Sequence, residues 1–145
     1  MLVGSVAAAL EADADWLRDL RARVPANVQL EHVAAVDPAT GVSEVQRALD
    51  ARGAQRFDVV VIDGLWREAL IDVAIRRVSD DGIIVCDNAE GYGLHAGFQG
   101  RGFQRVDFFG NAPAVVRPHC TSIHFRQRAF VFAEDWPIPD IGNAG

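Results

Sequence analysis

Two runs decide the fold: FDVVVIDG at residues 57–64 and GIIVCDN at residues 82–88. Each is short, continuously apolar and rich in β-branched residues, the pattern of a strand buried on both faces. Each also ends in a carboxylate, Asp63 in the first run and Asp87 in the second, with Asn88 directly after. Between them WREALIDVAIRRV, residues 66–78, places Trp66, Leu70, Val73, Ala74 and Val78 on one helical stripe. Asp80-Asp81-Gly82 then reads as the turn into the second strand. Strand, amphipathic helix and strand make a βαβ unit, which implies a parallel sheet with ligands bound beyond the carboxyl ends of its strands. Asp63 and Asp87 stand at that edge, where an ionised side chain needs a ligand, a cation or a helix N-terminus to offset its desolvation.

The alternation continues toward the N-terminus. Val3 to Leu10 is strand-compatible and ends at Glu11. Asp13 is positioned to cap a helix whose apolar face carries Trp16, Leu17, Leu20 and Val24, and Pro25 and Asn27 break it. Val28 to Ala35 reads as a strand, and Ser43-Glu44-Val45-Gln46 has the form of a capping box opening a helix that ends near Gly53. Beyond Asn88 the character changes. Gly91, Gly93, Gly97, Gly100 and Gly102 are scattered through a loop without the spacing of a phosphate cradle. Phe103–Phe109 and Thr121–Phe125 are strand-like, with Pro113 and Pro118 and no helix between them, which predicts an antiparallel pair at one end of the sheet. The expected architecture is an α/β, Rossmann-like, mostly parallel sheet with helices on both faces and that C-terminal pair. It occupies residues 1–132, and residues 133–145 form a Pro/Gly-rich tail.

Composition narrows the chemistry. The chain has 145 residues, half of them hydrophobic, and a formal net charge of -6, which argues against nucleic acid or an acidic membrane as partner. All 14 basic residues are arginine, so no lysine exists to act as Schiff-base nucleophile or general base. Cys86 and Cys120 lie in apolar runs without CxxC spacing, as expected of reduced, buried thiols. No run approaches the roughly 20 apolar residues of a membrane span. MLVGSVAAAL lacks the basic start of a signal peptide, so a cytoplasmic location is expected.

Glu11, between a strand and a helix, can accept both hydroxyls of a ribose, as the acid of dinucleotide-binding folds does. It can equally be a surface glutamate favoured by the helix dipole. His119, Cys120 and His124 fall on alternating faces of a strand and match no zinc spacing, so they read as structural. Arg76-Arg77 and Arg126/Arg128 read as solvated charges.

Taken together, ALEADADWLRDLRARVPANVQLEHV, FDVVVIDGLWREALIDVAIRRVSDDGIIVCDN and GFQRVDFFG with CTSIHFR resemble the class I S-adenosylmethionine-dependent methyltransferases from their second strand onward. The resemblance implies S-adenosylmethionine as cofactor and methyl transfer to a small-molecule acceptor. By position it makes Glu11 the acid that holds the cofactor's ribose, Asp37 a residue near the adenine, and Asp63 with Gly64 the contact to the methionine end. It places Asp63, Asp87 and Asn88 at the catalytic edge. In catechol-type members two aspartates and an asparagine so placed hold a magnesium ion, which oxygen ligands suit. Those members carry a lysine base shortly after the first aspartate, whereas this chain has Leu65-Trp66-Arg67, and arginine cannot give up its proton. Magnesium is therefore the lesser expectation.

The family's first strand and its glycine-rich loop should precede Glu11, and MLVGSVAAAL contains no E/D-x-G-x-G. An N-terminally incomplete domain is expected, with unpaired strand edges on either side of the gap. Four ways of closing it stand open: the flanking strands pair directly, the residues before Val6 substitute, a homo-oligomer or partner chain completes the sheet, or the reading frame starts further upstream. The competing function is that of a non-catalytic remnant serving as an oligomerisation or partner-binding module. A nicotinamide-dependent oxidoreductase has only Glu11 and the βαβ pattern in its favour.

Overall fold

The computed structural model describes residues 7–34, 36–53, 55–90, 93–111, 117–127 and 129. Six strands and four α-helices follow in the order β1 (Ala7–Glu11), α1 (Ala14–Arg21), β2 (Val28–His32), α2 (Pro38–Asp50), β3 (Phe57–Ile62), α3 (Ile71–Arg77), β4 (Val78–Cys86), α4 (Leu94–Phe98), β5 (Gln104–Asn111) and β6 (Pro118–Phe125), with a 3-10 turn at Arg67–Leu70 ahead of α3. The strand at 57–62 and the C-terminal antiparallel pair stand as expected. The expected strand over residues 3–10 begins only at Ala7 among the described residues, and the tail at 133–145 lies outside them.

The mostly parallel sheet is corrected. β1 and β2 form a parallel pair of their own, and the other four strands form a mixed sheet in the order β3-β4-β6-β5. Only β3 and β4 run parallel there; β6 is antiparallel to both β4 and β5. β1 and β3 do not pair with each other, so each shows one unpaired edge among the described residues.

Pairing rows assign the two faces of the larger sheet. Ile62, Ile84, Cys86 and Cys120 lie on one face and pack against Ile71 and Ala74 of α3 and against Leu94 and Phe98 of α4. This is the main core. On the opposite face Val61, Val85, Ile123 and Val106 stand in one row, and Val59, Ile83 and Phe125 in the next. Its apolar cluster contains no helix residue. Val59, Val61, Val106 and Phe108 are exposed there, so helices on both faces of this sheet are not what the described residues show.

Local chemistry explains the displaced boundaries. Helix α2 starts at Pro38, ahead of the expected capping box, because Asp37 caps it: its carboxylate accepts from the Thr40 amide at 2.9 Å and the Thr40 hydroxyl at 2.7 Å. Proline at the first helical position fits, since its missing N–H has no partner there anyway. Ser43 is consequently internal and donates back to the Ala39 carbonyl at 2.9 Å. Trp66 is not helical. Its φ of 53° is left-handed, and the helix over 71–77 is preceded by the 3-10 turn. Asp80-Asp81-Gly82 is a bulge inside β4, where Phe57 pairs Val78 and Val59 pairs Ile83. Gly82 is required at that point: a Cβ would come within 2.7 Å of the Asp58 carbonyl oxygen and the Ser79 hydroxyl. Arg77, expected in solvent, is buried and donates to the Gly53 carbonyl at 2.8 Å and to Asp50. The loop after Asn88 contains α4.

Both cysteines are free and buried. Burial pushes the Cys86 thiol up to about 12, so it stays protonated and inert at neutral pH. Among the described residues no helix is long and apolar enough to cross a membrane.

Candidate functional site

The carboxyl ends of β1 and β3 open on a shared cavity of about 460 Å³, lined by Leu10, Glu11, Val33, Val42, Asp63 and Gly64 and floored by the turn through Arg67. That size lies within the range of small-molecule sites. Glu11 reaches the rim because β1 ends on it. Its Oε1 accepts from the Asp13 amide at 2.9 Å, which orients the carboxylate and leaves Oε2 for a ligand. Asp13 in turn accepts from the Asp15 and Trp16 amides, each at 2.9 Å, and so starts α1.

The turn after β3 is sharply bent. Gly64 has a φ of 145° and open space where a Cβ would stand, and Trp66 follows in the left-handed region. A non-glycine residue in that region stores strain, which recurs at ligand sites. Asn88, at the end of β4, shares it with a φ of 48°. The bend returns Arg67 beneath the turn, where its guanidinium donates to Asp63 Oδ1 at 2.9 Å and to Asn88 Oδ1 at 3.1 Å.

These contacts decide the magnesium question. Asp63 and Asn88 each give an oxygen to one guanidinium nitrogen, and Asp87 Oδ1 accepts from the Thr121 hydroxyl at 2.9 Å. A divalent ion at this set would sit against a fixed positive charge whose side chain is only 10% exposed. The residues do not fit magnesium. No group of three or more His, Cys, Asp or Glu among the described residues is arranged to hold a metal.

The expected site residues thus separate. Glu11, Asp63 and Gly64 line one cavity, whereas Asp87 and Asn88 are not part of its lining: Asn88 connects to it through Arg67, and Asp87 accepts from Thr121. Asp37 does not line it, and both its oxygens are used in capping α2. Three further residues stand at the same edge: Glu90 and Thr121, which carry no sequence signal, and His119, which reads from sequence as structural. Asn88 Nδ2 is 2.7 Å from His119 Nδ1, which is also 2.7 Å from Glu90 Oε1, and Glu90 Oε2 accepts from the Cys120 amide at 2.8 Å. That amide, with the His119 ring, holds the Glu90 carboxyl below its ordinary range. His119, Glu90 and Thr121 meet Asn88 and Asp87 only because β6 pairs with β4, which no local pattern announces.

Solved structures share this fold. A precorrin-6y C5,15-methyltransferase from Geobacter metallireducens superposes with a TM-score of 0.54 at 20% identity, over 82% of this chain and 66% of that one. A methyltransferase from Pyrococcus furiosus gives 0.52 at 15% identity, over 86% and 63%. The fold is like that of these two methyltransferases. A precorrin 8w decarboxylase from Methanobacterium thermoautotrophicum gives 0.53 at 11% identity, over 83% and 69%. The chain spans 66% and 63% of the first two proteins' lengths. No protein-family model and no curated protein matches it in sequence. Within a methyltransferase-like fold, the cavity stands beyond the carboxyl ends of strands, where open α/β sheets bind ligands.

Proposed function

We propose that this chain is an S-adenosylmethionine-dependent methyltransferase domain acting on a small-molecule acceptor. One observation carries the reading: Glu11 and the Asp63-Gly64 turn, from strands that do not pair, line the same cavity. The cofactor supplies a methyl group on a positively charged sulfur. Glu11, already oriented by the Asp13 amide, accepts from the ribose hydroxyls. Asp63 adds negative charge on the side that receives the methionine end, and Gly64 leaves room for it. Arg67, Asp87 and Asn88 fix the shape of the acceptor edge.

Calorimetric titration of the chain with S-adenosylhomocysteine, beside Glu11→Ala, tests this. Binding that the variant loses at least tenfold is expected. A folded chain that binds nothing would sink the proposal.

A second reading is favoured by the edges of β1 and β3 that are unpaired among the described residues and by the exposed Val59, Val61, Val106 and Phe108. In it the domain is a non-catalytic module that a second copy or a partner chain completes by adding to the sheet. Sedimentation over a range of concentrations distinguishes the two, since the module assembles without ligand and the enzyme does not need to.

A further inference from the structure

We propose that the acceptor of this site is an amine and that Asp63 selects it. This names the substrate class of the methyltransferase reading and rests on it. Charge, rather than size, is the property of the cavity that makes the choice.

Apart from four charged side chains, the described residues that line the cavity are apolar or aromatic. Glu11, Asp13 and Asp63 are acids and Arg67 is the cation, so three formal negative charges stand against one positive. The cation is already engaged, donating to Asp63 Oδ1 at 2.9 Å and to Asn88 Oδ1 at 3.1 Å. The acids are only half used. Glu11 Oε1 takes the Asp13 amide, Asp13 Oδ1 takes the Asp15 and Trp16 amides, and Asp63 Oδ1 takes Arg67. The second oxygen of each has no partner among the described residues. A carboxylate or phosphate entering here would meet those oxygens and would have to compete with Asp63 and Asn88 for Arg67. A cation meets acceptors instead. Trp66 also belongs to the lining, and an aromatic face attracts cations too.

Methyl transfer itself separates hydroxyls from amines. A hydroxyl must lose its proton to attack well, and the described lining holds no Lys, His, Cys or Tyr to take it. The oxyanion so formed would also face the excess of negative charge. An amine arrives as its ammonium, gives one proton to water, and then needs no base. Its lone pair forms the bond to the methyl carbon, and the carbon–sulfur bond breaks with its electron pair left on sulfur. Positive charge passes from sulfur to nitrogen and stays within the cavity throughout. On the methyltransferase reading Asp63 stands on the side of the methionine end, and hence of that sulfur. Its side chain is 60% exposed, so a ligand can reach Oδ2. An N–H donated to that oxygen makes a hydrogen bond that strengthens as the nitrogen becomes charged, which favours the transition state over the bound amine.

The test uses the full chain loaded with S-adenosylhomocysteine and titrated at neutral pH with pairs of similar size and opposite charge, benzylamine against benzoate and butylamine against butyrate. Each amine should bind about tenfold or more tighter than its acid. The ratio should shrink in Asp63→Asn, whose side chain still offers Arg67 an oxygen, and in the wild type it should shrink with added salt. An acid that binds as tightly as its amine, failure of both amines to bind, or a ratio unchanged in Asp63→Asn overturns the proposal. With S-adenosylmethionine, release of S-adenosylhomocysteine should be faster with the two amines than with phenol. Release no faster with the amines than with phenol also overturns it. A folded wild-type chain that binds no S-adenosylhomocysteine removes both the acceptor class and the function beneath it, whereas binding without a preference for the amines removes the acceptor class alone.

Discussion

The guanidinium of Arg67 donates to Asn88 Oδ1 at 3.1 Å and so ties the turn after β3 to the turn after β4. The same nitrogen holds Asp63 at 2.9 Å. One arginine thereby supplies the positive charge that this edge of the sheet requires.

Arg67→Met should destabilise the fold by about 1–3 kcal/mol, the range for leaving a hydrogen-bonded group without its partner. The lower end is expected, because Asp63 is 60% exposed and water can solvate it once it is alone. Urea unfolding measures the loss. In the wild type, EDTA should change neither S-adenosylhomocysteine affinity nor turnover. Loss of either on chelation, with recovery on added Mg²⁺, would contradict the account of Arg67.

His124 gives the fold a pH dependence. Its ring is 2% exposed, stacked on Phe98 at 3.8 Å, and its Nε2 is buried without a partner among the described residues. Burial, with His95 and Arg105 nearby, lowers its pKa from 6.5 to about 4. The unfolded chain therefore binds the proton that the folded chain refuses between those values. Stability is full above about pH 6.5, falls as pH drops toward 4, and the total loss is at most about 3 kcal/mol. His124→Phe should flatten that slope while keeping the stack. An equally steep slope in the variant, by denaturation at several pH values, would assign it elsewhere.

Asp37→Ala should cost about 1 kcal/mol through the lost cap of α2, with S-adenosylhomocysteine affinity unchanged. Thermal unfolding and calorimetry on one sample separate these effects. Weakened binding without destabilisation would restore Asp37 to the adenine.

Gly82→Ala should destabilise by about 1–3 kcal/mol, the usual range for overpacking. Its Cβ would meet the Asp58 carbonyl oxygen at 2.7 Å, and backbone cannot turn aside as a flexible side chain can. Stability equal to wild type would show that the bulge in β4 relaxes freely.

What the sequence made legible was local and periodic. Phe57–Ile62 is a strand by its own composition, and the residues after β1, β3 and β4 were placed at sheet ends because acids do not end buried runs without a reason. The helix expected to open at Ser43 opens at Pro38 instead, because the Asp37 cap followed by proline lies one turn earlier and takes precedence over the capping box. The stripe through Trp66 was continuous in sequence, yet a tight left-handed turn interrupts it to bring Arg67 under Asp63. His119 and Glu90 were invisible as a pair because strand pairing, not spacing, joins them. Arg77 looked like a surface charge because nothing local announces that Gly53 and Asp50 surround it.

The unpaired edge of β3 governs how copies of the chain tolerate one another in solution. Val59 and Val61 are exposed on that strand, and backbone groups unpaired among the described residues invite a second edge to add to it. Against this stands the net charge of -6, which keeps copies apart at low ionic strength. Salt shortens the reach of that repulsion to about 8 Å at physiological strength and leaves the apolar edge untouched. Self-association should therefore rise with added salt, as sedimentation at several ionic strengths would show.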